Sequence, residues 1–345
     1  MYERFDHIAL RGFCAAVPEN AETIAGLMET ADAATRFTLK RVAALAGLKK
    51  RHVAPTDMFT GDLALAAGRE LLARLNWDPV SLNLLFFVTQ TPDFLSPPTG
   101  YLIAAKLGCS RECAVMDLSS GCPGMLHGAW LASGHLRQNG KRALILSGDA
   151  SSKVQLSGNV GNAVLMGDAV GALALEYDND ASALAFSLAS QPDTKLSLVN
   201  YDSGYRPMPG KPDGMVMDGN KITEFCLATA PACMAEVLER EKLTYGDVQA
   251  LYLHQPNKMI LDTLRRRLDI DPKKIPQIFA DYANCSSASL ALSVCSHAKE
   301  FASGKALFCA FGSGLAVASM LGDLDPHNCF PIVQVKQGEL LQEGV

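Results

Sequence analysis

The chain alternates short apolar runs with longer stretches rich in alanine and leucine. Apolar runs occupy residues 84–88, 143–146 and 172–175, and runs of this length are typical of buried strands. Residues 61–75 and 124–137 are longer and rich in helix-forming residues, so they are predicted to be helices. Strands that alternate with helices in this way predict an α/β fold.

A second set of the same pattern follows in the later half of the chain. In both sets an apolar strand leads into a polar turn: residues 84–88 precede Thr89-Gln-Thr-Pro92, and residues 251–253 precede His254-Gln-Pro. We therefore predict two related halves, residues 1–177 and residues 178–345. The elements predicted for the second half are strands at residues 250–253, 306–309 and 317–321 and helices at residues 222–241, 259–268 and 288–303.

Residues 192–219 separate the two sets and are rich in glycine, proline, aspartate and tyrosine. This composition predicts a long irregular connection. Long loops inside compact domains are often functional. Two interpretations stay open, a segment at the mouth of a substrate tunnel and a surface excursion without a role.

Composition and charge narrow the possible functions. The chain has 345 residues, of which 48% are hydrophobic and 19% charged, so a compact fold with a substantial core is expected. The net charge of −5 gives no general attraction to nucleic acid or to an anionic membrane. The sequence has no run near the roughly twenty apolar residues of a membrane span and no apolar export signal at its start, so we expect a cytoplasmic location.

Ten cysteines are scattered singly along the chain. In a reducing compartment we expect most of them to be buried thiols rather than disulfides. Cys109 and Cys113 are four residues apart, but no second pair stands at the spacing of a zinc finger, so we expect no metal site.

Cys122 is the first candidate for chemistry, in the segment Asp117-Leu-Ser-Ser-Gly-Cys122-Pro-Gly. It follows an apolar run at residues 113–116 and precedes Pro123, a residue favoured at the first position of a helix. We therefore predict that the thiol lies at a strand-to-helix turn. There the partial positive end of the helix would favour the thiolate and activate a nucleophile.

His254 and Asn284 are the second and third candidates, in Tyr252-Leu-His254-Gln-Pro-Asn257 and Tyr282-Ala-Asn284-Cys-Ser-Ser-Ala-Ser289. A neutral imidazole and a carboxamide are donors that could stabilise an enolate oxygen. A carboxylate in place of Asn284 would instead raise the basicity of the imidazole and favour acyl transfer to an alcohol or amine. The asparagine thus favours formation of a carbon–carbon bond.

These segments together resemble the β-ketoacyl-ACP synthase III branch of the thiolase superfamily. The resemblance implies a catalytic triad of Cys122, His254 and Asn284 and a thiolase-like duplicated α-β-α-β-α sandwich, with the cysteine in the first half and the other two residues in the second. Other segments that carry the resemblance are Gly47-Leu-Lys-Lys-Arg-His52, Thr91-Pro-Asp-Phe94, Gly167-Asp-Ala-Val-Gly-Ala172, Met217-Asp-Gly219 and Phe311-Gly-Ser-Gly314.

The resemblance also implies partners and further site residues. The backbone N–H groups of Cys122 and Ser313 would form an oxyanion hole. The substrates would be thioesters of coenzyme A (CoA) or of the phosphopantetheine arm of an acyl carrier protein, with a malonyl thioester as the second substrate. No cofactor would be bound permanently, and the enzyme would be a homodimer.

Two positions depart from the family pattern. The aromatic residue and arginine that grip CoA align with Arg41 and Leu45, so we expect either an altered grip or delivery by a carrier protein. Leu95 and the small Ser96 stand where the family closes its acyl pocket, so we expect a primer longer or bulkier than acetyl. Basic residues that could dock CoA or a carrier protein, or could simply be solvated, are Arg41, Lys49, Lys50, Arg51, Lys258, Arg265 and Arg266.

The leading functional hypothesis is a condensing enzyme that loads an acyl group on Cys122 and extends it with malonyl, in a fatty-acid, cofactor or secondary-metabolite pathway. One alternative is an acyltransferase of the same fold that passes the acyl group to a hydroxyl or amine. Others are a papain-like cysteine hydrolase, whose Cys-Gly-Ser-Cys-Trp-like signature is absent, and a non-catalytic partner subunit, which would typically lack part of the triad.

Overall fold

The computed structural model describes residues 1–138, 141–156, 158–206 and 208–342. The strands are β1 (Tyr2–Phe5), β2 (Ile8–Pro18), β3 (Ala21–Thr23), β4 (Lys50–His52), β5 (Leu84–Val88), β6 (Ala114–Leu118), β7 (Arg142–Ala150), β8 (Asp168–Tyr177), β9 (Leu184–Ser190), β10 (Leu198–Asn200), β11 (Met215–Met217), β12 (Ala250–Leu253), β13 (Gly304–Gly312), β14 (Ala316–Leu324) and β15 (Val333–Val335). The helices are α1 (Ile24–Thr30), α2 (Ala33–Ala46), α3 (Thr60–Leu75), α4 (Thr99–Leu107), α5 (Gly124–Gln138), α6 (Val160–Ala163), α7 (Gly219–Arg240), α8 (Lys258–Leu268), α9 (Phe279–Tyr282) and α10 (Ser289–His297).

Two mixed sheets share one pattern of strand pairing. One sheet has the order β15-β2-β8-β7-β5-β6, and the other has the order β1-β9-β14-β13-β12. In the first, β7 is parallel to β5 and antiparallel to β8, which is antiparallel to β2. In the second, β13 is parallel to β12 and antiparallel to β14, which is antiparallel to β9. The repeat of this pattern is the duplication expected from the sequence.

Helices cover both sheets and fill the space between them. Helix α3 packs on the outer face of the six-stranded sheet, and α7 packs on the outer face of the five-stranded sheet. Helices α5 and α10 lie between the sheets, where one apolar cluster contains side chains from both. The predicted α-β-α-β-α sandwich is therefore confirmed. Each described helix is too short or too polar to span a lipid bilayer.

Two edge strands belong to one predicted half in sequence but pair in the sheet of the other half. Strand β8 ends at Tyr177 and β9 begins at Leu184 in the other sheet, which agrees with a change of sheet there. However, β1 pairs with β9 and β15 pairs with β2, so each half donates a strand to the sheet of the other. The division into residues 1–177 and 178–345 stays a proposal.

Two segments differ from their predicted form. Residues 198–200 and 215–217 pair as an antiparallel ribbon, so the predicted irregular connection contains two short strands. The helix predicted at residues 288–303 ends at His297 and passes into a tighter turn over residues 298–300. The chain then turns away, and the Phe301 ring packs edge-on against Tyr252 at 6.3 Å between ring centroids.

Three aromatic rings join the two sheets at the centre of the molecule. Phe308 on β13 stacks on Phe13 of the other sheet, with 5.7 Å between ring centroids, and on Tyr252 of β12, with 5.4 Å. All three rings are fully buried. The Tyr252 hydroxyl has no hydrogen-bond partner among the described residues, and an unpaired buried hydroxyl costs free energy.

We predict opposite effects for two substitutions in this stack. Phe308→Ala should lower the free energy of unfolding by about 3–5 kcal/mol because it leaves a cavity between the sheets. Tyr252→Phe should leave it unchanged or raise it by about 1 kcal/mol, since it removes only the unpaired hydroxyl. Urea unfolding followed by far-UV circular dichroism measures both. Equal losses for the two variants would contradict this description of the core.

Candidate active site

Cys122 lies on the turn between β6 and α5. The Gly124 N–H donates to the Gly121 carbonyl at 2.7 Å, and the Leu126 N–H donates to the Pro123 carbonyl at 3.1 Å, so helical hydrogen bonding begins directly after the cysteine. The predicted strand-to-helix turn is confirmed. The thiol faces a cavity of about 90 Å³ that is also lined by Asn284.

The cavity has an apolar side and a polar side. Met166, Leu198, Met215 and Met217 form the apolar side, so the β10–β11 ribbon forms part of the wall of the cavity that Cys122 also lines. A broader cleft of about 550 Å³ shares part of this lining and extends toward the surface. The residues common to the cavity and the cleft are Gln90, Thr91, Val154, Asn200 and Ser203.

His254 follows the end of β12 and is only 2% exposed. Its backbone N–H donates to the Cys309 carbonyl at 2.8 Å, and its ring meets Phe311 edge-to-face at 5.5 Å between centroids. Burial lowers the pKa of His254 to about 3, and a backbone hydrogen bond to Ser286 opposes this only in part. The imidazole is therefore neutral at physiological pH.

The polar neighbours of His254 have structural roles that the sequence did not reveal. The Gln255 amide donates to the carbonyls of Leu253 at 2.9 Å and Pro276 at 3.2 Å, and its oxygen accepts from the Ile278 N–H at 3.1 Å. Gln255 thus ties the end of β12 to the segment that leads to Asn284. Asn257 caps α8, since its side chain accepts from the Ile260 N–H at 2.9 Å. The capping preference of asparagine was a usable sequence signal.

Asn284 is fixed on both sides by backbone hydrogen bonds. Its N–H donates to the Leu165 carbonyl at 2.9 Å, and its carbonyl accepts from the Gly167 N–H at 3.0 Å. Its side-chain oxygen accepts from the Ser286 N–H at 3.0 Å, which leaves the NH₂ group as the side chain's donor. A Cβ at Gly167 would stand 2.2 Å from the Tyr282 carbonyl oxygen, so this close approach requires glycine.

Ser286 contacts all three predicted catalytic residues. Its N–H donates to the Asn284 side-chain oxygen at 3.0 Å, and it lines the same cavity as Cys122. Its backbone opposes the lowering of the His254 pKa, and its side chain opposes the raising of the Cys122 pKa, so Ser286 lies close to both. The structure therefore brings Cys122, His254 and Asn284 together around one residue. The assignment of catalytic roles to them is developed under the proposed function.

The surroundings of Cys122 disfavour ionisation of its thiol. Removal from water, together with the negative charge of Asp149, raises the pKa of Cys122 to about 11. Contacts with the Ser313 backbone and the Ser286 side chain act in the opposite direction but are weaker. Burial and the charge of Asp149 thus act against the thiolate, and its stabilisation by the start of α5 stays a prediction.

Asp149 is a charged neighbour that the sequence analysis missed. It is 2% exposed at the end of β7 and lines the cavity with Cys122. One carboxylate oxygen accepts from the Thr89 hydroxyl at 2.8 Å and from the Gln90 N–H at 2.6 Å. Burial raises the pKa of Asp149 despite these donors. No local sequence signal distinguishes this aspartate.

The predicted oxyanion residue Ser313 lies beside the thiol. The segment after β13 passes so close to Cys122 that a Cβ at Gly312 would stand 2.8 Å from the sulfur. Gly312 also has φ of +157°, which side-chain-bearing residues rarely adopt. Ser313 lines the same cavity as Cys122, and its backbone opposes the rise in the pKa of the thiol. This position agrees with the predicted role of the Ser313 N–H as a donor to the oxyanion that would form next to the Cys122 sulfur.

The two acyl-pocket candidates differ in position. Leu95 lines the 550 Å³ cleft and is 57% exposed. Ser96 is exposed on the same loop. Their role in closing an acyl pocket stays a prediction.

The docking candidates are not equally available. Arg51 pairs with Glu22 at 2.7 Å and donates to the carbonyl oxygens of Ala163 and Met166, so it is less available than the exposed candidates, and its docking role stays a prediction. Lys258 and Arg265 pair with Asp262 on their own helix, and Arg266 donates to the Asp262 carbonyl oxygen. Arg41 and Lys49 are exposed, and Lys50 is half-buried.

Comparison with known proteins identifies the family. Residues 116–192 match the family model described as 3-oxoacyl-[acyl-carrier-protein] synthase III, and residues 238–323 match the model of its C-terminal part. A 3-oxoacyl-[acyl-carrier-protein] synthase 3 of Campylobacter jejuni is 31% identical over 337 residues, covering 92% of this chain and 94% of that protein. The chain belongs to the 3-oxoacyl-[acyl-carrier-protein] synthase III family.

Two further relatives support the same family and fold. The β-ketoacyl-[acyl-carrier-protein] synthase III of Symbiobacterium thermophilum is 28% identical, covering 89% of this chain and 95% of that protein. The crystal structure of a 3-oxoacyl-(acyl-carrier-protein) synthase from Burkholderia xenovorans LB400 superposes with a TM-score of 0.91 at 26% identity, covering 97% of this chain and 99% of that chain. The resemblance stated from the sequence is confirmed.

Proposed function

We propose that the protein loads an acyl group from a CoA or carrier-protein thioester onto Cys122 and condenses it with a malonyl thioester, with loss of carbon dioxide. The observation that carries this proposal is a neutral, buried His254 held with the neutral Asn284 around the thiol. Two uncharged donors suit an oxygen that gains negative charge during decarboxylation. The family relationship supports the same reaction class.

In the first half-reaction the Cys122 sulfur attacks the carbonyl carbon of the donor thioester. The carbonyl oxygen becomes an oxyanion, which the backbone N–H groups of Cys122 and Ser313 would stabilise. Collapse of this intermediate breaks the donor's carbon–sulfur bond and leaves the acyl group on Cys122. One thioester replaces another, so the acyl-enzyme stores the acyl group at little cost.

In the second half-reaction the malonyl thioester loses carbon dioxide. The electron pair of the broken carbon–carbon bond forms an enolate, and His254 and Asn284 would donate to its oxygen. The enolate carbon then attacks the acyl carbon, and the Cys122 sulfur leaves to give a β-ketoacyl product. The groups that this sequence needs are side chains and backbone amides, so we propose that it uses no permanently bound cofactor.

The cavity suggests the kind of primer. Its apolar side is formed by three methionines and Leu198, and methionine side chains adapt to ligands of different shape. We propose an apolar acyl group longer than acetyl. Gly121 and Pro123 beside the nucleophile suggest a specialised fatty-acid, cofactor or secondary-metabolite pathway.

The donor could be carried by CoA or by an acyl carrier protein, and the names of the relatives favour the carrier. Helices α2 and α8 lie together, with Arg41 on one and Lys258 on the other. The exposed Arg41, Lys49, Lys258 and Arg266 would meet the phosphates of CoA or an acidic carrier protein.

We also propose a homodimer. Strand β6 is an edge strand of the six-stranded sheet, and its Met116 is 48% exposed. Leu95 and Tyr101, nearby in the sequence, are 57% and 55% exposed. A second copy that pairs with this edge would cover apolar side chains and an open strand, which isolated proteins normally protect.

The central test uses the intact mass of the protein after incubation with a panel of acyl-CoAs and acyl-carrier proteins, followed by a malonyl chase. We expect acyl mass on the wild type and none on Cys122→Ala. His254→Ala and Asn284→Ala should still acylate, but their release of carbon dioxide should fall by about 10²-fold or more, because each removes a donor to the enolate.

Three results would contradict the proposal. Acyl mass on Cys122→Ala would remove the nucleophile assignment. Discharge by an alcohol or amine without release of carbon dioxide would identify an acyltransferase. Loading by acetyl alone would contradict the proposed longer primer.

The dimer is tested by a charge on the edge strand. Met116→Asp should convert the protein to a monomer at micromolar concentration, because a carboxylate would be buried in the interface. Leu45→Asp on α2, where the leucine is 69% exposed, is the matched control and should leave the mass unchanged. Sedimentation velocity measures both. A wild-type monomer, or a dimeric Met116→Asp variant, would overturn the proposed interface.

A further inference from the structure

The two predicted oxyanion donors belong to different sheets. Cys122 follows β6 of the six-stranded sheet, and Ser313 follows β13 of the five-stranded sheet. Two N–H groups stabilise an oxyanion well only when both already point at the place where the oxygen will gain its charge. A contact that fixes the turn of Ser313 relative to the turn of Cys122 would therefore bear directly on acylation.

The side chain of Gln90 makes such a contact. Its Nε2 donates to the Ser313 hydroxyl at 3.3 Å. A Cβ at Gly121 would overlap the Gln90 side-chain oxygen and would stand 3.0 Å from the Ser313 Cβ. The carboxamide and the serine therefore pack together on the residue that precedes the nucleophile, and glycine there leaves room for both. Gln90 and Ser313 also line the cavity with Cys122.

The backbone of Gln90 is held by the six-stranded sheet. Its N–H donates to an Asp149 carboxylate oxygen at 2.6 Å, and the Thr89 hydroxyl donates to the same oxygen at 2.8 Å. The Thr89 N–H donates to the Leu118 carbonyl at 3.0 Å, where β5 runs beside β6. Gln90 thus starts from the sheet that carries the turn of Cys122, and its side chain reaches the turn of Ser313 in the other sheet.

The other contacts of the Ser313 turn do not replace this one. Leu315 and Gln191 exchange backbone hydrogen bonds at 2.8 Å and 3.2 Å, but Gln191 follows β9 of the same five-stranded sheet. Gly312 packs closely on the Cys122 sulfur, a contact without a hydrogen bond to orient the next residue. Within the described part of the chain, Gln90 is the side chain that donates to the Ser313 hydroxyl.

We propose that Gln90 is a positioning residue for acylation, an inference that rests on the proposed function. The carboxamide holds the Ser313 hydroxyl, and through it the Ser313 N–H, beside the N–H of Cys122. Gln90 takes no proton and forms no bond to the acyl group. Its removal leaves both oxyanion donors in the molecule but lets one of them move away from its productive place, and small displacements at a reacting centre slow the reaction.

The test is the rate of single-turnover acylation at saturating donor, read from the intact mass after rapid quenching. Gln90→Met keeps the length of the side chain but has no amide donor, and its rate should fall about tenfold. Ser313→Ala removes the hydroxyl and keeps the backbone N–H, and its rate should fall by the same factor. Complete loss of an oxyanion donor costs more, roughly 10²–10³-fold. The half-saturating donor concentration should not change.

A double variant separates positioning from two independent effects. Because Gln90 acts through the Ser313 hydroxyl, the double variant Gln90→Met with Ser313→Ala should be no slower than either single variant. The factor should also be the same for every acyl-CoA and acyl-carrier protein that loads the wild type. Gln334→Met on β15 is the matched control: Gln334 is exposed, as Gln90 is, and the control should keep the wild-type rate.

The outcomes separate this role from the proposed function. Equal losses that do not add would support the positioning role. A Gln90→Met variant as fast as the wild type, or a double variant slowed by the product of the two single factors, would overturn it and leave the proposed function standing. A loss confined to one chain length would also overturn it, because Gln90 would then be a wall of the acyl pocket. A wild type that takes no acyl group from any donor would overturn both proposals.

Discussion

The site depends on burial that keeps the imidazole of His254 uncharged. His254 packs against Phe311 and lies close to the backbone of Ser286. Because the residue is buried, water does not stabilise an imidazolium there. The same loss of hydration raises the pKa of Cys122 and of Asp149. The environment that provides neutral donors for an enolate therefore also disfavours ionisation of the nucleophile.

Each of the two related halves of the fold contributes a strand end or a helix start to this site. Cys122 follows β6 and begins α5, and Asn284 precedes α10, so both helices of the central layer start at the cavity. His254 follows β12, the strand that corresponds to β5 of the other sheet. Gln255 then joins the strand end to the segment before Asn284 by three hydrogen bonds. Gln255, which has no role in the proposed reaction, thus helps to fix the position of His254 relative to Asn284.

Local sequence was sufficient for much of the fold and the candidate site. The apolar run before Cys122 and Pro123 after it indicated the strand-to-helix turn, and the residues before His254 indicated a strand end. Strands β1 and β15 were missed because they have four and three residues and pair with segments far away in sequence. The pairing of Arg51 with Glu22, 29 residues earlier, was missed because the two residues meet only where β3 pairs with β4. Burial, which lowers the pKa of His254 and raises those of Cys122 and Asp149, depends on tertiary contacts.

The most direct test of this account is the protonation state of His254. Nitrogen-15 NMR of histidine-labelled protein, with the signal assigned by its loss in His254→Asn, would follow the imidazole between about pH 5 and 8. The account predicts that the His254 nitrogens keep the shifts of a neutral ring throughout, because burial lowers the pKa to about 3. A titration with a midpoint near the usual histidine value would contradict it.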